Sequence, residues 1–394
     1  MKRTRFTRLG QLAVLVGIVM PATLLAQATY GVTTLDGLGG TAGGANSINN
    51  RGWATGFANQ LGDTVSHATL WAGGPGVIDL GSLGGATANS AIAWPIKANN
   101  GLIVGISDTA TDNPLGESFS CWPFFASGIP TKKICRGFRW ENGVMTALPS
   151  FPCGYNSYAT AANNRGQVVG WAENGTVDPS CDTDFQILQF RAVIWGPHGE
   201  MQELPPLPGD STSAATAIND QGQVVGISGA CGIAVGGVSA RHSVLWENGV
   251  PTNIGDLGGT TWNTPTAINN HGTVVGFSLP ASQNGTRNYE AFIWTRSGGL
   301  HSLGKFPGDI RSAAFGINDK DQVVGLSRGG PFGLRAVLWD NGSMTDLNDL
   351  TLPGSPHLLY ANDINDRGEF AGEALDIASG TSPAFLAIPI RSAK

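Results

Sequence analysis

One phrase recurs seven times along the chain and limits its fold more than any other feature. It reads Ile218-NDQGQVVGIS, Ile268-NNHGTVVGFS, Ile317-NDKDQVVGLS and Ala162-NNRGQVVGWA, with looser copies from Ile48, Lys97 and Ile364. Its first asparagine, or the residue in that place, falls at positions 49, 98, 163, 219, 269, 318 and 365. Spacings of 47 to 65 residues belong to propellers and arrays of repeated units. A second phrase follows each copy, an apolar run that ends in Trp71, Trp140, Trp195, Trp246, Trp294 or Trp339, and in the seventh copy at Ala387. A third phrase of the DLG type closes each unit. The seventh unit lacks one, while a spare stands at the start of the chain as VTTLDGLGG from Val32.

That permutation separates a closed ring from an open stack. An open solenoid needs capping repeats, whereas a ring gains a partner for its last free edge when its first strand completes its last sheet. Each unit holds four short strand candidates. The first two are joined by Asn-Asp/Asn-x-Gly, the last two by ENG or DNG, and both are tight-hairpin signals. The expected fold is all-β, a seven-bladed β-propeller of four-stranded blades. The segment around Val32–Leu38 should pair with Phe385–Ile388. The six tryptophans share one repeat position, so they are expected between blades, each burying about 200 Å² worth at most roughly 5 kcal/mol. Trp94, Trp122 and Trp262 lie outside that position and are the candidates for an exposed aromatic surface.

These phrases resemble the bacterial extracellular HAF-repeat family, named for a His-Ala-Phe run before the strand tryptophan. The matches are His67-Ala68-Thr69-Leu70-Trp71, Glu290-Ala291-Phe292-Ile293-Trp294, the intact DLGxLGG at 79–85 and the recurring INxxGxVVGxS. The resemblance runs from Val32 to Ile388. It implies an exported repeat protein and assigns no catalytic residue.

Residues 1–28 read as a secretory signal, with Lys2, Arg3, Arg5 and Arg8, an apolar run from Leu12 to Ala26 and an Ala26-Gln27-Ala28 cleavage site. Residues 29–394 then form a single propeller domain with long insertions at about 108–136 and 172–190. The net charge of −6 becomes −10 without the signal, 19 cations against 29 acids, which disfavours nucleic acid and anionic membranes as partners. No later apolar run could span a membrane. Five cysteines suit an oxidising compartment, secreted or periplasmic, with Cys121–Cys135 and Cys153–Cys181 as expected bridges and Cys231 left free.

The motifs HExxH, GxSxG, CxxC and G-x-x-x-x-G-K are missing. Asp178, Asp182 and Asp184, and separately Asp108 and Asp112, alternate oxygen ligands as calcium sites do, but neither loop ends in the EF-hand glutamate. No cofactor is expected, calcium being the single ion left open. The reading is an exported, non-catalytic binding or scaffold protein at the cell envelope or beyond. Its partner would be a polysaccharide or another envelope protein. The alternative is a carbohydrate-active hydrolase or lyase whose carboxylates meet at the loop face. By parity, both short hairpins of every blade share one face of the disc and the variable loops share the other. Four residues before each strand tryptophan stand His67, Arg136, Arg191, His242, Glu290 and Arg335. Such a mostly basic circle at the loop face first reads as donors to loop carbonyls or partners of local carboxylates. The alternative is a site for an acidic polysaccharide, with Arg136, Arg191 and Arg335 as fixed charges and His67 and His242 beside them.

Overall fold

A computed structural model describes residues 29–118, 121–126, 128–232, 237–329 and 332–390. The expected signal segment lies outside the described residues. Seven four-stranded antiparallel sheets follow one another as the blades of a β-propeller. Blade 4 is typical: Thr212–Ile218 innermost, then Val224–Gly229, His242–Glu247 and Val250–Gly255 at the rim. Blade 7 joins His357–Ile364, Phe370–Leu375 and Ala384–Ile390 to the N-terminal strand Thr29–Thr34, which lies outermost. Val32 pairs with Ala387 and Thr34 with Phe385. The pairing is shorter than Val32–Leu38 at one end and longer at the other. It begins at Thr29 and ends near Leu35, whose N–H donates to Ala384 O, and the chain then crosses to blade 1.

Local backbone chemistry explains the phrases. At the first hairpin Gly52, Gly101, Gly166, Gly222, Gly272 and Gly368 all have positive φ, and Asp321 takes the same conformation at φ 59°. The ENG and DNG turns have positive φ at both Asn and Gly, as in Asn248 (51°) and Gly249 (79°), the geometry that matches strand twist.

A less obvious regularity sits three residues before each first asparagine. The inner strands of six blades are irregular there, with the register shifting around Asn46, Thr160, Thr216, Thr266, Phe315 and Asn362. Such a bulge turns the extra side chain towards the axis. It also brings the inner strand against the glycine of VVG. A Cβ on Gly56, Gly105, Gly170, Gly226, Gly276, Gly325 or Gly372 would meet an inner-strand carbonyl oxygen at less than 3.0 Å. That close approach, rather than a turn, is why the phrase needs glycine.

Blades are held to each other by polar links as well as by packing. The second residue of each turn donates its N–H to the side-chain oxygen of the corresponding residue in the next blade. Asn50 donates to Asn99, Asn99 to Asn164, Asn164 to Asp220, and Asp220 to Asn270 at 2.7–3.0 Å. Asn270 then donates to Asp319, Asp319 to Asp366, and Asp366 back to Asn50 at 2.8–2.9 Å. This belt closes on itself. Within it, Lys97 Nζ meets the buried Asp363 carboxylate and Ile364 O. Trp71, Trp195, Trp246 and Trp339 are 1–4% exposed, and each indole N–H donates to a carbonyl contributed by the preceding blade (Asp36, Pro149, Pro205 and Leu303). Trp140 and Trp294 are half-buried and pack against neighbouring hydrophobic side chains.

Candidate functional site

The circle of residues four before each tryptophan stands on the third strand of its blade, away from the axis, and each member is engaged locally. His67 bonds Asp79 at 2.9 Å and His242 bonds Asp210 at 2.8 Å. Arg335 spans Asp309 (3.1 Å) and Asp346 (3.4 Å). Arg191 donates to Gln189 at 2.7 and 3.0 Å, with Glu203 at 3.8 Å. Arg136 donates to Ser150 at 2.8 Å, and Glu290 holds Lys305. The structure does not bring these side chains to a common site.

One expected disulfide is present and one is replaced. Cys121 bonds Cys135, but Cys181 bonds Cys231 rather than Cys153, which is exposed and free. Cys181 and Cys231 belong to loops of adjacent blades on the same face, where Cys181 bridges to Gly232 and Cys231 N–H donates to Ser180. Pairing by nearness in sequence could not see a bond between blades. The acids considered for calcium disperse. Asp112 pairs with Lys133, Asp178 accepts from Ser180, and burial holds Asp108 up at about 6. Among the described residues no group of three or more His, Cys, Asp or Glu side chains gathers as a metal site.

The axial channel ends differently on its two faces. At the hairpin face it is rimmed by the Asn/Asp belt, around a small polar hollow of about 220 Å³. At the loop face it opens into a cavity of about 420 Å³ walled by Trp94, Phe124, Phe277, Phe315 and Tyr360, with Asn46, Asn362 and Glu373 between them. Two departures from the repeat shape this cavity. In the other blades the bulged residue is polar and ties its blade to the next, and Asn46, Thr266 and Asn362 among these share the lining. Thr160 donates to Ala215 O (3.1 Å), Thr216 to Pro265 O (2.8 Å), Thr266 to Ala314 O (2.9 Å) and Asn46 to Ile92 O (2.8 Å). Blade 6 has Phe315 in that position and blade 2 has Pro95, and both line the cavity.

The first insertion supplies the remaining wall. Its short turn Trp122–Phe124 is tied down by the Cys121–Cys135 bridge, and Phe124 meets Tyr158 edge-on at 5.6 Å over a stacked Tyr158–Trp171 pair at 4.1 Å. Trp122 stacks on Phe185 of the second insertion at 6.0 Å. The two insertions are further joined by Glu117, whose buried carboxyl accepts from Ile187 and Leu188 N–H at 2.8 Å. Glu173 underneath is pushed up to about 7 by burial and by Glu117, although Asn156 and Gln186 donate to it.

Glu373 is the chemically distinctive group of the cavity. It stands on the second strand of blade 7, and burial alone raises its carboxyl to about 7. Among the described residues it is the one acid lining the cavity, and no hydrogen bond offsets the burial of its carboxyl. Tyr360 beside it is raised in turn, by burial first and then by the Glu373 charge.

Solved structures of the same shape exist. Virginiamycin B lyase from Staphylococcus aureus superposes with a TM-score of 0.51 at 11% identity, over 92% of this chain and 100% of its own. A streptogramin B lyase structure superposes with a TM-score of 0.50 at 10% identity, over 92% and 98%. The likeness is one of fold. No family model and no curated protein matches the sequence. Among the described residues no helix is long and apolar enough to cross a membrane.

Proposed function

We propose that this protein is an exported binding propeller, and that its recognition site is the loop-face mouth of the channel. The carrying observation is the aromatic cavity at the channel mouth, where two of the seven blades replace the polar bulge residue by Phe315 and Pro95. Aromatic walls with a few polar groups are the usual composition of a small-ligand site, and the cavity volume is in the range of such sites. Two disulfides on the same face agree with an oxidising location outside the cytoplasm. A retaining or inverting glycosidase needs two carboxyl groups across the scissile bond, so a single acid in the lining favours binding over hydrolysis.

The test is Phe315→Thr, which restores the residue that blades 3, 4 and 5 use. It should fold normally, its hydroxyl reaching towards Ala361 O as its counterparts reach their neighbours. Titration with a panel of saccharide and aromatic fragments, followed by tryptophan fluorescence, should show binding by the parent and its loss in the variant. Equal binding by both would place the ligand elsewhere and overturn the proposal.

A further inference from the structure

The cavity has a basic shoulder that the repeat pattern does not contain. Arg311 opens the inner strand of blade 6, and Arg328 closes the second strand directly opposite it in register. Like charges facing each other across a strand pair are destabilising. Neither guanidinium has a carboxylate partner among the described residues, whereas Arg191 and Arg335 of the third strands do. Arg311 stacks over Tyr289 with its guanidinium 5.1 Å from the ring centre, and its Nε is buried with no hydrogen-bond partner. Arg287 stacks likewise over Trp262 at 5.7 Å. The rings form a connected surface: Trp262 lies 5.5 Å from Tyr289, and Tyr289 lies 4.6 Å from Phe277 of the cavity wall.

Three guanidiniums with no carboxylate partner among the described residues, half-buried Arg311 and exposed Arg287 and Arg328, stand beside aromatic faces on a chain of net charge −6 and make a local basic exception. A guanidinium stacked on a ring keeps its edge N–H groups free, and that edge matches a carboxylate in a bidentate way. Resting on the proposed channel-mouth site, we infer that its ligand is a ring-bearing acid, in saccharide form a uronic acid. Its ring lies on Tyr289 and the cavity aromatics, and its carboxylate is held by Arg311 and Arg328 with Arg287 at the rim. The groups around Glu373 agree with this. Tyr360, opposite it in register on the neighbouring inner strand, feels its charge, and Tyr289, Arg311 and Arg328 on blades 5 and 6 act on the same Tyr360. The arginines act on both tyrosines. Glu373 itself, raised by burial, stays largely protonated below neutrality and presents a donor instead of a repelling charge.

The experiment compares p-nitrophenyl β-glucuronide with p-nitrophenyl β-glucoside, a pair that differs only in the carboxylate, by equilibrium dialysis against the full mature chain. The glucuronide should bind at least about tenfold more tightly, and its affinity should fall with added salt while that of the glucoside does not. In R311Q/R328Q the glucuronide should drop to the level of the glucoside, with a melting temperature unchanged or raised because a repulsive pair is gone. In E373Q the fall in glucuronide affinity between about pH 6 and pH 8.5 should flatten. Equal affinity for both compounds, or a double variant that keeps the preference, overturns the inference. If that shared binding is still lost in Phe315→Thr, the channel-mouth reading stands without it. Binding of neither compound also overturns the inference, and the fragment titration then decides the cavity by itself.

Discussion

A buried carboxyl with a raised pKa has a definite signature in stability. Glu373 rises from an ordinary 4.5 to about 7 on folding, so between those values the folded chain holds more proton than the unfolded one. Stability from this group is therefore greatest below about pH 4.5 and is lost as pH climbs through 7. Glu373→Gln should match the parent at pH 4.5 and exceed it at pH 8 by on the order of 2–3 kcal/mol. Urea unfolding at both pH values checks this, and a pH-independent gap would remove the desolvation argument. Part of the residue scale was legible in the sequence. The tryptophans, the left-handed turn residues and Asp321 as a glycine substitute follow from propensity and repetition. Phe315 was also visible, because the column three before each first asparagine reads Asn, Pro, Thr, Thr, Thr, Phe, Asn. What could not be read was that the column faces the axis, since an inner-strand bulge shifts the alternation of side chains. Glu373 and Arg311 gave no signal, because their meaning lies in which blades flank them.

Among the elements, the insertions carry most of what differs between blades. The first is clasped by Cys121–Cys135, with 14 residues of separation, and a loop of that length gains about 3 kcal/mol from its bridge. Cys121→Ser should lower stability by roughly that amount and also release Phe124 from the cavity wall. The expected readout is increased quenching of Trp94 and Trp122 by acrylamide, with the far-ultraviolet β signal retained. An unchanged quenching profile would show that the Tyr158 and Phe185 contacts hold the wall without the bridge. The local bridge was legible because both cysteines share one insertion. Cys181–Cys231, 50 residues apart, was not: the two loops meet only once blades 3 and 4 are side by side. The arginines before the strand tryptophans show the reverse case. Their recurrence was plain in the sequence, but the acids that engage them, Asp309 and Asp346 for Arg335, come from other parts of the blade or its approach.

At the scale of the whole molecule the architecture was almost fully legible, because a permuted set of seven units has few ways to satisfy every strand. The belt of turn side chains was not, although its residues were. Asn and Asp in those turns looked sufficient as turn formers, and their second task, accepting from the preceding blade, needs the ring to exist. Deleting residues 29–34 should lower the melting temperature by on the order of 10 °C. It removes Tyr30, 4% exposed and packed edge-on against Phe370 at 4.8 Å, and leaves Ala384–Ile390 as an open edge that favours self-association. Light scattering with thermal denaturation tests both, and a deletion variant as stable and monomeric as the parent would contradict closure by this strand.

The same pairing sets an order in time. Thr29–Thr34 precedes every other described strand in the chain, yet its partner, Ala384–Ile390, follows all the rest. Six blades can form while synthesis proceeds, but the seventh waits for Ala384–Ile390 to emerge. Until then its first-made strand has no sheet, and the belt cannot pass from Asp366 back to Asn50. Contacts so distant in sequence form slowly. The interval before they form is when this chain is most exposed to pairing with a second copy of itself.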